Sequence, residues 1–87
     1  MITYVIFNRD TPSQRLAEDL AGRLEKEQLQ VEQMDADSAR GIQFTENYDI
    51  LGRPAVALVR DDGSPVQIWQ GEDGMPTPSE VEYLAHG

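Results

Sequence analysis

Cysteine is absent from the 87 residues. No disulfide can cross-link this chain, no thiolate can serve as nucleophile or metal ligand, and cysteine usage says nothing of the redox compartment. Histidine occurs once, as His86, and lysine once, as Lys26. Basic residues as a group are scarce, 7 against 16 acidic ones, and the formal charge is −9. Phosphates need a basic face, so this balance argues against nucleic acid and against anionic membrane surfaces. No apolar run approaches the ~20 residues that a membrane-spanning helix needs. The opening "MITYVIF" is too short and too β-branched for a secretory leader. The expectation is a cytoplasmic protein with no cofactor and no metal, whose partner is a protein or peptide, and whose oligomeric state defaults to a monomer.

What is present patterns cleanly into elements. A chain of this length reads as one domain, residues 1–87, with a single thin core. "ITYVIF", Ile2 to Phe7, is β-branched, aromatic and almost wholly apolar, which predicts a strand covered on both faces. "SQRLAEDLAGRLEKEQL" carries Leu16, Leu20 and Leu24 at four-residue spacing with Ala17 and Ala21 beside them, the apolar stripe of a helix. Arg15, Asp19, Arg23 and Glu27 alternate in sign on its outer face. "VEQMD" is a second strand. Asp37 or Ser38 then caps a short helix over "ARGIQFTENY", with Ile42, Phe44 and Tyr48 as its apolar side, although Gly41 and the β-branched Thr45 weaken it. "AVALV", Ala55 to Val59, is an unbroken apolar run, best placed at the centre of a sheet. "RDDGS" predicts a hairpin, with Asp62-Gly63 supplying positive φ. In "VQIWQG" strict alternation puts Val66 and Ile68 on one face, Gln67 and Trp69 on the other. Pro65 at the head of that run suits an edge strand. A last helix runs over "SEVEYLAHG", with Val81, Tyr83, Leu84 and Ala85 as its apolar residues.

The order is β-α-β-α-β-β-α, and it predicts an α/β fold. The four strands form a mixed sheet in the order 2-1-3-4, with the three helices on both faces. The first and last helices share one face and the middle helix takes the other. A ferredoxin-like arrangement is the runner-up, disfavoured because the sequence ends on a helix rather than a strand.

Two near-identical phrases stand at helix starts: "TPSQ", Thr11 to Gln14, and "TPSE", Thr77 to Glu80. Each has the pattern of a capping box, with a hydroxyl at the N-cap, proline at the first helical position and Gln or Glu reaching back to the cap. That structural role explains both copies without any function.

The chain resembles the thioredoxin-like superfamily in its short glutaredoxin-like form, over nearly its whole length. The resemblance rests on "ITYVIF" as the first strand and on "YDILGRPAVALVRDDGSPVQIWQGE" as the stretch from the second helix through the hairpin. Within it Pro54 falls where the family keeps a cis-proline, Asp62-Gly63 on the hairpin turn, and Gly71 on a glycine that ends the last strand. The family places a Cys-x-x-Cys pair where the first strand meets the first helix, and the helix N-terminus activates the leading thiol. Here Thr11 and Gln14 stand in the two cysteine positions. The resemblance therefore implies the shape without the disulfide chemistry.

What the shape implies is a groove, because the family's substrates lie extended across the helix start and the cis-proline loop. The matching positions are Thr11, Pro12, Ser13, Gln14, Arg53 and Pro54. Arg53 would bring a positive charge to a carboxylate or anionic segment; read structurally, it is a solvated loop charge. Thr11 or Ser13 acting as a nucleophile would need a base, and His86 sits one residue from the C-terminus, so no catalytic residue is assigned. "DADS", Asp35 to Ser38, has the opening of a calcium loop, but Arg40 occupies the sixth position, where glycine is required. Three functions remain open. They are a redox-inactive binding or adaptor module, a structural or regulatory subunit with an acidic partner-binding surface, and an enzyme of this fold with non-cysteine chemistry.

Overall fold

The computed structural model describes residues 1–86. Gly87, with which the sequence reading closes the last helix, lies outside the described residues. The elements are β1 (Ile2–Phe7), α1 (Pro12–Lys26), β2 (Val31–Asp35), α2 (Ala39–Asn47), β3 (Ala55–Val59), β4 (Pro65–Gln70), a 3-10 turn (Glu72–Gly74) and α3 (Pro78–His86). The four strands form one sheet in the order β2-β1-β3-β4. β1 and β2 run parallel, while β3 is antiparallel to both β1 and β4.

β3 is central, and all five of its residues are buried. Its alternation feeds two cores. Val56 and Leu58 join Val5, Ala17, Leu20, Ala21, Leu24 and Val81 beneath α1 and α3. Ala55, Ala57 and Val59 join Ile6, Met34, Ala36 and Ile50 beneath α2. In the second core three of the seven buried residues are alanines, Ala36, Ala55 and Ala57, which lets α2 lie close to the sheet. Gly41 is the point of closest approach. A Cβ there would overlap the Asp35 carbonyl oxygen and lie 2.9 Å from its carbon and 3.0 Å from Ala36 Cα. Tyr4, Phe44 and Tyr48 stack in series, with ring centroids 4.6 and 4.7 Å apart. The Tyr48 hydroxyl donates to the Gly63 carbonyl at 2.5 Å and ties the end of α2 to the hairpin. Burial, and then the Glu32 carboxylate nearby, push the Tyr4 phenol above its ordinary range.

Several local expectations need correction. The buried stripe of α1 is Ser13, Ala17, Leu20, Ala21 and Leu24; Leu16 lies on its flank and is 47% exposed. On α2 the buried residues are Gly41 and Thr45, the two that seemed to weaken the helix, while Ile42 is 48% exposed. Tyr83 on α3 is 78% exposed. Alternation fails in β4 because the ladder slips between Leu58 and Val59: Val59 pairs Pro65 and Leu58 pairs Gln67. Val66 is the extra residue of a bulge. It therefore packs on the α1–α3 face together with Trp69, and Ile68 packs on the α2 face. In the hairpin only Gly63 takes positive φ, at 90°. The Gly63 amide donates to the Arg60 carbonyl, and the Arg60 amide to the Ser64 carbonyl. This is a type I turn closed by a left-handed glycine. Asp62 contributes its carboxylate, which accepts from the Ser64 hydroxyl at 2.7 Å and the Ser64 amide at 3.0 Å.

Candidate functional site

Register brings four segments to one end of the sheet. Phe7 pairs with Asp35, so β1 and β2 finish together. Ile6 pairs with Ala55 and Ala55 with Gln70, so β3 begins and β4 ends at the same place. The loops at 8–11, 36–38, 51–54 and 71–77 all leave the sheet here. All six of the groove residues expected from the sequence lie in these loops or in the first turn of α1 that follows one of them.

The helix entrance departs from the expected capping box. Thr11 occupies the N-cap position with extended backbone, but its side chain makes no capping bond. Its hydroxyl turns back to the Asn8 carbonyl at 2.6 Å and lies 2.6 Å from the Ser13 hydroxyl. Gln14 passes over Thr11: its Oε1 accepts from the Asp10 amide at 2.8 Å, and Asp10 holds φ at 61°. The reason is the preceding turn, which presents the Asp10 amide where a box would present that of Thr11. The second phrase does form the box. Thr77 Oγ1 accepts from the Glu80 amide, and Glu80 Oε1 from the Thr77 amide, each at 3.2 Å.

The loop into β3 is braced from below. The peptide bond between Arg53 and Pro54 is cis, and Pro54 is buried. The Pro54 carbonyl accepts from the Gly71 amide at 2.9 Å. Gln70 Oε1 accepts from both the Leu51 and Gly52 amides, at 2.8 and 2.9 Å. Gln70 escaped the sequence reading because a glutamine at the end of an edge strand belongs to no motif. Arg53 is not a freely solvated charge. Its Nη1 donates to the Ile50 carbonyl at 3.3 Å, and its Nε is buried without a hydrogen-bond partner. The side chain lines a cleft of about 450 Å³ beside α2, together with Asp37, Ile42, Glu46, Asp49 and Leu51. None of Thr11 to Gln14 lines that cleft, so the helix entrance does not share the hollow that holds the Arg53 side chain.

Hydroxyl chemistry finds no support in this arrangement. Tyr83 and Leu84 share a hollow with Met1, Arg60 and Val66, at the other end of the sheet from Thr11. His86 lies beyond them at the close of α3. Among the described residues no group of three or more acidic or histidine side chains is placed to hold a metal ion. The same holds for the loop after Asp35, where the Ser38 hydroxyl accepts from the Gly41 amide at 2.9 Å and caps α2. No described helix is long and apolar enough to cross a membrane.

No protein-family model matches the sequence, and no curated protein does. Solved structures match its fold. Thioredoxin 1 from the thermophilic eubacterium Thermosipho africanus TCF52B superposes with a TM-score of 0.70 at 10% identity, over 99% of this chain and 91% of that one. A malarial protein gives 0.70 at 11% identity, over 98% and 92%. A thioredoxin from Thermus thermophilus gives 0.63 at 17% identity, over 98% and 71%. The chain has a thioredoxin-like fold. It has no cysteine, so classical disulfide exchange cannot come from its own residues.

Proposed function

We propose that the chain is a redox-inactive, thioredoxin-fold adaptor that binds an extended protein or peptide segment across the α1 entrance and the Pro54 loop. The observation that carries this reading is the state of that loop. Gln70 and Gly71 hold residues 51–54 in place, while the Arg53 amide and carbonyl have no hydrogen-bond partner among the described residues. A fixed segment with free main-chain groups at the start of a strand can accept an extended guest. Thr11, Pro12, Ser13 and Gln14 form the opposite rim, and Arg53 and Pro54 the loop itself. The charge of −9 speaks for a protein or peptide partner rather than nucleic acid. A cytoplasmic, non-enzymatic role is part of the proposal.

Capture from a displayed peptide library tests it. The parent chain enriches a related set of sequences, and both Thr11→Ala and Arg53→Ala reduce capture, the second because the loop loses its tie to Ile50. Undiminished capture by both variants refutes the groove. The charge favours a second reading, a regulatory subunit that meets a basic partner through its acidic surface. In that case binding falls steeply with salt and is indifferent to Thr11→Ala.

A further inference from the structure

The cleft beside α2 is lined by exposed apolar side chains and by a surplus of acidic ones. Ile42 is 48% exposed and Leu51 is 88% exposed, and both line this one hollow of about 450 Å³. Three carboxylates, Asp37, Glu46 and Asp49, surround them. Among the described residues none of the three is in an ion pair; the basic groups nearby are engaged elsewhere, Arg9 with Asp35 at 3.4 Å and Arg40 with Glu32 at 3.1 Å. Arg53 is the one cation of the lining, and its guanidinium is turned toward the Ile50 carbonyl. Three negative charges against one positive leave the cleft at −2, on a chain at −9 overall. An anionic guest, which Arg53 alone would have suggested, meets net repulsion.

We propose that this cleft docks a peptide segment in which an apolar side chain is flanked by lysine or arginine, with the apolar group seated on Ile42 and Leu51 and the cations facing Asp37, Glu46 and Asp49. This rests on the reading of the chain as a binding module and adds the place and chemistry of a guest. Two features select that guest together. A purely apolar segment leaves the carboxylates unanswered, and a purely basic one leaves Leu51 in water. Long-range attraction between a cationic segment and the acidic chain also speeds encounter.

The test uses the whole chain, isotope-labelled, and three capped pentapeptides: Gly-Lys-Leu-Lys-Gly, Gly-Glu-Leu-Glu-Gly and Gly-Lys-Ser-Lys-Gly. The Lys-Leu-Lys peptide shifts backbone amide resonances within residues 37–53, while the other two bind at least fivefold more weakly. Leu51→Ser, a change at an exposed side chain, weakens the Lys-Leu-Lys peptide about tenfold, the low end of what burying a leucine contributes. Glu46→Gln and Asp49→Asn each weaken it about two- to threefold, as expected of exposed charge pairs, and the effect shrinks as salt is raised. Equal binding of the Glu-Leu-Glu peptide, or no effect of Leu51→Ser, overturns the proposal. Shifts confined to residues 8–14 and abolished by Thr11→Ala overturn it too, but leave the groove reading standing; silence at both places overturns the cleft proposal and leaves the groove to the peptide-library test.

Discussion

Helix propensity and packing make opposite predictions for Gly41. Alanine in a helix interior is worth about 0.5–1 kcal/mol over glycine, so propensity alone has Gly41→Ala stabilise the protein. The structure reverses the sign. The new Cβ collides with the Asp35 carbonyl and approaches Ala36 Cα to 3.0 Å, and these are backbone atoms of the β2 exit that cannot rotate away. Overpacking of this kind costs about 1–3 kcal/mol. Moving α2 outward to relieve it also stretches the 2.9 Å bond from the Gly41 amide to the Ser38 hydroxyl, a cap worth about 1 kcal/mol. The net loss is about 1–3 kcal/mol, out of roughly 4–13 for a domain of this length. At ~4–8 °C per kcal/mol the midpoint falls by about 5–20 °C. Gly22→Ala is the control: it lies exposed within α1 with nothing within 4 Å of the new methyl, and it should gain about 0.5–1 kcal/mol. Thermal and urea melts followed by circular dichroism read both. A Gly41→Ala midpoint at or above the parent's would show that α2 is not seated against β2 as described.

Gln70→Ala removes the shared acceptor of the Leu51 and Gly52 amides. Hydrogen exchange at those two amides should accelerate, with about 1 kcal/mol lost overall; unchanged exchange would mean that the loop is held by something else. Thr77→Ala should cost about 1 kcal/mol through its capping box, whereas Thr11→Ala frees the Asn8 carbonyl and the Ser13 hydroxyl without removing a cap, and should cost less. Equal losses in urea melts would contradict the difference in bonding. Bonds from the Ser64 hydroxyl and then its amide lower the Asp62 pKa below 3.8. A depressed carboxylate stabilises the fold above its ordinary value and loses that contribution as acid protonates it. The side-chain carbon signal of Asp62 should therefore titrate below 3.8, and Ser64→Ala should bring the midpoint back up.

The parts of the fold legible in sequence were those that one residue type decides. Five consecutive apolar residues place β3 at the centre of the sheet, and Pro65 marks β4 as an edge. Legibility ended where a feature depends on two segments at once. The bulge at Val66 is a property of the pairing between β3 and β4, and no pattern within β4 announces it. Gly41 and Thr45 looked like flaws in α2 because their purpose is the gap to Asp35 and Ala36, which exists only once β2 is in place. Leu16 misled through its size: it continues the leucine spacing, yet the smaller Ser13 and Ala17 lie nearer the middle of the buried stripe. At the candidate site the six expected residues fall together at one end of the sheet. The Gln70 brace and the cleft that Ile42 and Leu51 both line each draw on separate segments, and neither carries a signal that could be read in one dimension.

The two near-twin phrases show how context decides bonding. Thr77 and Glu80 follow a proline-containing stretch and close the capping box on themselves. Thr11 and Gln14 follow a turn in which Asp10 adopts positive φ, and the same side-chain types are redirected to hold that turn: Gln14 on the Asp10 amide, Thr11 on the Asn8 carbonyl. The turn thus clasped is the one where the resemblance would set a reactive sulfur pair. A redox site there needs an exposed leading group at the helix start; here the hydroxyls of Thr11 and Ser13 are occupied with each other and with Asn8. The turn is thus held in place by its own side chains. That clasped turn, the braced Pro54 loop and the acidic cleft beyond it are the features from which we propose a binding role rather than a reactive one.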